Sequence, residues 1–371
     1  MSKGIVKEID KGFYEEARQK NIHPLTMLTQ LVNPEPPEIE KIAERMLARC
    51  GWKWAGTPYE DRVRDWAYMC AGLEKELEVR GISKSDTVEK AFFASSNAAG
   101  TQGLFPAFLA SQIIAGQLAV SLVPICCLSE VRISSHVQEK VQINDTTGTR
   151  QTRHITEGQD IPKTTIAKLQ GSIALQKYGR MLEATYETVR LMHLDIISLQ
   201  LQRMGRQIGI DETDDMIETM QSGDGNAGSA TTPVSAATPG TLLYSDVVAL
   251  WQQFPIGYEM RQVITNDVEL KNVLTMAEFK DPMAGFDFVR TGVLPGPLGA
   301  TWHRWTSTGS ATFGANRVLA VDDRLAMVLY REGDLLEEAD QLIDKQIHRR
   351  TMSEWVGFMV WDPAGVSVMT V

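Results

Sequence analysis

The sequence predicts an α+β fold, and three observations carry that reading. The first hundred residues show helical periodicity; a stretch from Val131 to Tyr186 reads as extended chain; and beyond a long central helix, short helices and strands mix to the end. With 371 residues, 43% of them hydrophobic, the chain can bury a sizeable core and divide into two or three compact units.

After Pro36 and Pro37, the segment EIEKIAERMLARC places Ile39, Ile42, Met46 and Leu47 on one helical face and stops at Gly51. TPYE then offers Thr57 as an N-cap, Pro58 at the first helical position and Glu60 reaching back, a capping box. The helix behind it carries the stripe Val63, Trp66, Cys70, Leu73 and Leu77, and Arg80-Gly81 gives its stop. A lone helix cannot hide such a stripe from water, so this face is expected to dock on its own subunit or on an adjacent one. SSNAAGTQG, Ser95 to Gly103, closes the region as a linker.

From Leu104 to about Ile133 a short apolar helix leads into a strand. VRISSHVQEKVQI and AKLQGSIALQKYGRMLEATY are two extended candidates, and the segment between them, NDTTGTRQTRHITEGQDIPKTT, is polar and rich in turn formers. They read together as a long β-hairpin with a solvated tip. So long a polar insert has little to bury, so Thr146 to Lys163 is expected to be mobile in an isolated subunit and ordered by a neighbour. Arg150, Arg153, Glu157, Asp160 and Lys163 are the candidates for intersubunit charge contacts there.

A long helix is expected from about Glu183 to Gly209. Leu194, Ile197, Leu201, Met204 and Ile208 form one seam and Val189, Met192, Ile196 and Leu199 a second, so both flanks should meet protein. The acidic run Asp211 to Asp215 is expected in a solvated helix start or loop, and Ser222 to Thr241 is the most linker-like segment. Tyr244 to Phe254 reads as a helix, YEMRQVITN as a strand, DVELKNVLTM as a helix, and Ala300 to Trp305 as a strand. AMVLYRE and WVGFMVWDPAGVSVMTV have strand composition at the end.

Several function classes are disfavoured. A formal net charge of −10 repels phosphate, which speaks against a dedicated DNA-binding protein but not against a wall that encloses DNA. The apolar run Leu118 to Leu128, interrupted by Pro124, is too short for a bilayer, and the opening residues lack the apolar centre of a secretory signal, so cytoplasmic synthesis without a membrane partner is expected. Cys50, Cys70, Cys126 and Cys127 contain no CxxC pair and read as buried reduced thiols. No HExxH or HxH pair joins the six histidines; His193 reads as a packed or partner-bonded helix residue. SGDGNAG lacks the GxGxxG order, and the acidic run lacks the glycine turn and final glutamate of a calcium loop. Trp302 and Trp305 suit apolar packing better than base stacking. No catalytic, cofactor-binding or metal residue is therefore assigned, and no enzyme is expected; an enzyme with an α/β core and a helical lid is the competing reading of another class.

The ordered series EGQDIPKTTIAKL, MLEATYETVRLMHLDIISLQL, TLLYSDVVALWQQF, QVITN, EFKDPMAGFDFVRTGVLPGPLGATW, AVDDRLAMVL and EADQLIDKQIHRRTMSEWVGFMVWDPAGVSVMTV resembles the major capsid proteins of tailed double-stranded DNA bacteriophages, over roughly Leu104 to Val371. The resemblance implies a Hong Kong 97-type fold: a helical N-terminal arm at 1–103, a peripheral domain of 104–133, 180–222 and 317–348, an extended loop at 134–179, and an axial domain of 223–316 with 349–371. A hundred helical residues is long for such an arm; many relatives carry there a scaffolding segment removed by a protease, whereas a retained, structured arm is expected here. The resemblance further implies self-assembly as hexamers and pentamers into an icosahedral virion shell, with portal and scaffolding or decoration proteins as partners. Double-stranded DNA would be enclosed without sequence-specific binding and without a cofactor. The alternative within the fold is an encapsulin-like nanocompartment shell.

Overall fold

The computed structural model describes residues 11–20, 22–34, 36–49, 58–83, 85–93, 101–144, 157, 165–226, 231, 233–276, 297–306, 316–342 and 344–371. The chain divides into two compact units, each assembled from three stretches: Met1–Cys126, Lys177–Met216 and Gly333–Val356 in the first, and Cys127–Gln176, Ile217–Glu332 and Gly357–Val371 in the second.

Helices dominate the first unit. They are α1 (Lys11–Gln19), α2 (Pro24–Val32), α3 (Pro36–Arg49), α4 (Pro58–Val79), a π-helical turn at Glu89–Phe93, α5 (Thr101–Leu118) and α6 (Val123–Cys126). Helix α2 starts with Pro24 in its first turn, and the ring of His23 accepts the Leu25 N–H; Asn33, left-handed at φ 48°, ends it. Pro58 opens α4, while Thr57 and the side chain of Glu60, the two halves of the expected capping box, lie outside the described residues. Gly72 lets α4 approach α2: a Cβ there would sit 2.5 Å from the Thr29 Cα. In return the Thr29 hydroxyl accepts the Gly72 N–H at 3.2 Å.

The central helix differs from its expected course. A short α7 (Tyr186–Leu191) ends at Met192, whose backbone is extended, and α8 restarts at Leu194 and runs to Ser222. Tertiary hydrogen bonds make the break: Val88 N–H donates to the Met192 carbonyl and Leu194 N–H to that of Asp86. Helix α8 crosses α5 at backbone contact. A Cβ on Gly205 would fall 2.0 Å from the Ile113 carbonyl oxygen and one on Gly116 2.1 Å from that of Gln202. Leu104, Leu109, Ile113, Leu194, Leu201 and Ile208 fill the core around this crossing. The first seam of α8 is thus buried within the chain, whereas Ile196 and Leu199 of the second are exposed on it.

The expected acidic loop is also helical. Asp211 to Asp215 lie inside α8, and Glu212, Thr213 and Asp214 are buried. Thr213 supports this by donating to the Gly209 carbonyl and accepting the Leu122 N–H.

In the second unit a five-stranded sheet has the order β5-β11-β8-β6-β7, with β5 Val234–Ser235, β6 Gln262–Thr265, β7 Thr301–Arg304, β8 Arg317–Val321 and β11 Val366–Thr370. Strands β6 and β11 run antiparallel to β8, whereas β7 is parallel to β6 and β5 to β11. Helices α9 (Tyr244–Gln252) and α10 (Asp267–Thr275) contribute Val247, Leu250, Leu270 and Val273 to the same core as Val263, Trp302, Val318 and Met369. Asn266 caps α10 by accepting the Glu269 N–H at 2.8 Å. Asp322 is a buried corner post: it accepts the Glu259 N–H, the Arg324 N–H and the Arg324 guanidinium.

The expected hairpin is present as β2 (Val137–Asn144) against β3 (Thr165–Ala174), antiparallel with an irregularity between Glu139 and Val141. The second extended candidate proves to be two strands, because the chain turns off at buried Leu175 and continues as β4 (Gln176–Thr185) in another sheet. That sheet has the order β1-β9-β10-β4, with β1 Ser129–Ile133 parallel to the start of β9. Strands β9 (Met327–Leu342) and β10 (Ile347–Val360) each pass from one unit into the other without interruption.

Candidate functional site: assembly surfaces

The face proposed for arm docking is built by α4. Trp66, Cys70 and Leu73 are buried in one cluster with Phe92, Phe108 and Leu194, and Leu77 packs against it; the side chain of Val63 lies outside the described residues. Four-residue and three-residue steps along α4 bring these groups to one stripe, which meets residues of α5 and α8. Burial, reinforced by the nearby Glu74 carboxylate, pushes the Cys70 thiol well above its ordinary pKa, so it is a packing residue and not a nucleophile.

Of the five hairpin-tip charges, Glu157 is described and is exposed in a turn; Arg150, Arg153, Asp160 and Lys163 lie outside the described residues. At the base of the hairpin His136 pairs with Glu332 of β9, and the Leu175 N–H donates to the His136 carbonyl.

Sequence reasoning missed the polar group at the end of α5. Gln117 donates from Nε2 both to Glu212 Oε2 at 2.8 Å and to Glu354 Oε1 at 3.1 Å. The two carboxylates are 1% and 2% exposed, and they come from α8 and β10, so one amide ties a helix, a second helix and a strand together. Close by, burial and the Asp215, Glu212 and Asp211 carboxylates raise the Tyr178 hydroxyl far above its usual pKa, so it stays protonated as a donor. A stacked Lys177 over Trp355, at 5.6 Å, and the Arg349 to Glu183 pair, at 2.6 Å, add further ties between β4 and β10.

His193 precedes α8 instead of lying within it, and its Nδ1 is 2.8 Å from the Ser85 carbonyl. Trp302 and Trp305 are buried and offer no ring to a base. Among the described residues Cys70, Cys126 and Cys127 are buried, as the sequence predicts. Among the described residues no group of histidine, cysteine and carboxylate side chains could hold a metal ion, and no helix is long and apolar enough to cross a membrane.

Apolar side chains remain exposed on the second unit: Trp251 and Tyr244 on α9, and Ile256 in the turn that follows it, which is fully exposed. Exposed apolar side chains of this size mark a surface that another protein can cover.

The sequence model of the family described as phage capsid protein matches residues 170–368, more than half of the chain. The chain belongs to the phage capsid protein family. The match runs from within β3 to β11 and takes in residues of both units. Among solved structures, this capsid chain is similar to the capsid of an empty GTA particle, with 15% identity and a TM-score of 0.51 over 67% of this chain and 89% of that one. It is likewise similar to the capsid of the native GTA particle, with 16% identity and a TM-score of 0.50 over the same shares. These likenesses establish the Hong Kong 97-type α+β capsid fold. A search of curated proteins finds no match.

Proposed function

We propose that this chain is the major shell subunit of a tailed phage head, assembling as hexamers and pentamers into an icosahedral wall around double-stranded DNA. Membership of the phage capsid protein family carries this reading, and it favours a virion over an encapsulin-like nanocompartment. The β2–β3 hairpin, exposed Trp251 and Ile256 and a net charge of −10 suit a wall that binds its own copies and encloses DNA without gripping it. Subunits are synthesised in the host cytoplasm, and portal, scaffolding or decoration proteins meet the finished lattice. The wall itself performs no catalysis.

Within the lattice, Arg150, Arg153, Glu157, Asp160 and Lys163 supply intersubunit charge contacts at the hairpin tip. The α4 stripe of Val63, Trp66, Cys70, Leu73 and Leu77 holds the N-terminal helices to the shell subunit. Electron microscopy of the expressed full-length chain tests the whole reading. Closed particles of uniform diameter are expected; a stable monomer or dimer at high concentration overturns it, and particles filled with protein cargo in place of DNA favour the nanocompartment.

A further inference from the structure

A groove of about 830 Å³ runs along α4, between it, α5 and the start of α8. Its floor is apolar: Trp66, Leu73, Phe108 and Leu194. Its lining is acidic, with Glu74 and Glu78 from α4 and Asp195 from α8, and no lysine, arginine or histidine is among its described lining residues. From Trp66 to Leu77 the groove follows α4 for about 16 Å, roughly three helical turns.

Two further observations point to an occupant. Among the described residues the indole N–H of Trp66 finds no hydrogen-bond acceptor, although the residue is only 6% exposed. On the opposite wall Leu199 is 56% exposed and Ile196, one turn from it, is also uncovered, so an apolar seam of α8 ends in solvent beside the groove.

We propose that this groove receives a basic amphipathic helix of a partner protein. An apolar trough between helices is filled best by another helix, whose side chains at i, i+3, i+4 and i+7 cover Leu77, Ile82 and Leu199, the apolar lining residues that keep surface open to solvent. Carboxylates on both walls select lysine or arginine beside those apolar anchors, because the stems cover Leu199 while the cations reach Glu74, Glu78 and Asp195. An acidic helix would be repelled by the same three groups.

The test uses the purified full-length chain and a fluorescein-labelled peptide of about three to four turns made of leucine, alanine and lysine in this pattern, with a twin carrying glutamate for lysine. Anisotropy should show saturable binding of the basic peptide and none of the acidic one, together with a change in tryptophan emission that Trp66→Phe abolishes. Neutralising the rim by Glu74→Gln, Glu78→Gln and Asp195→Asn should weaken binding by roughly tenfold or more, and Leu199→Lys, on an exposed residue that folding does not need, should weaken it as well. The same number of neutralisations elsewhere, Glu89→Gln, Glu187→Gln and Asp344→Asn, should leave it unchanged. Equal binding of both peptides, equal loss in the two neutralised proteins, or no binding at all overturns the proposal. A rim variant that alters particle assembly while peptide binding stays the same also overturns it, assigning the groove to a second copy of this chain.

Discussion

Replacing Gly205 by alanine should destabilise the first unit, although the same change in an isolated helix would stabilise it. Alanine gains about 1 kcal/mol over glycine in a helix interior. At Gly205, however, the new Cβ would lie 2.0 Å from the Ile113 carbonyl oxygen and 3.0 Å from the Gln117 nitrogen, both rigid backbone of α5. Relieving that contact requires α5 and α8 to part by roughly 1 Å, which loosens Leu109, Ile113, Leu201 and Ile208 together. Overpacking of this kind costs about 1–3 kcal/mol or more, and it acts against the gain in propensity. Gly116→Ala, at 2.1 Å from the Gln202 carbonyl oxygen, should match it, and Gly209→Ala, at 2.7 Å from that of Gln117, should cost less. The Gly116 and Gly205 changes act on one crossing, so their effects should not add. Urea unfolding of unassembled subunits, followed by circular dichroism, measures the series. An unchanged or raised midpoint for Gly205→Ala would refute the close-contact argument.

Leu73→Ala, at a fully buried site, should cost about 2–5 kcal/mol, whereas Leu31→Ala, at an exposed one, should shift the unfolding midpoint little. Gln117→Leu removes the donor shared by Glu212 and Glu354 and should destabilise by about 1.5–3 kcal/mol in the same assay; a neutral result would mean that the amide is dispensable. Burial lowers the His303 pKa to about 4, so the unfolded chain takes up a proton first as pH falls; stability should decline from about pH 6.5 towards 4 by roughly 3 kcal/mol, and His303→Gln should flatten that limb of a melting-versus-pH profile. Ile256→Asp with Trp251→Ser should leave subunit folding intact and reduce particle yield in sedimentation, as should Glu157→Lys with Asp160→Lys; normal yields would remove these residues from the assembly surfaces.

Elements with strong local signals were legible in the sequence. The stripe of α4, the hairpin strands and the short helices α9 and α10 each follow from periodicity and turn chemistry within a dozen residues. What escaped was set by groups far apart in the chain. The break at Met192 depends on hydrogen bonds from Val88 and to Asp86, and nothing in the local sequence marks it. Glu212 looked solvated because its partner, Gln117, lies 95 residues away. The exposure of Leu199 beside buried Leu201 likewise reflects which neighbours the fold supplies, not the hydrophobicity of either residue.

The interleaving of the two units bears on how the protein comes off the ribosome. Neither unit is a continuous stretch: the first needs Gly333–Val356 and the second needs Gly357–Val371 before its sheet can close. Strand β11, which lies between β5 and β8, is translated after both of them. Until then β5 lacks a partner strand and β8 keeps one edge open, and pairing across such sequence separations is slow. Nascent subunits should consequently depend on chaperones during translation, and the delay would keep half-made chains from joining a growing particle.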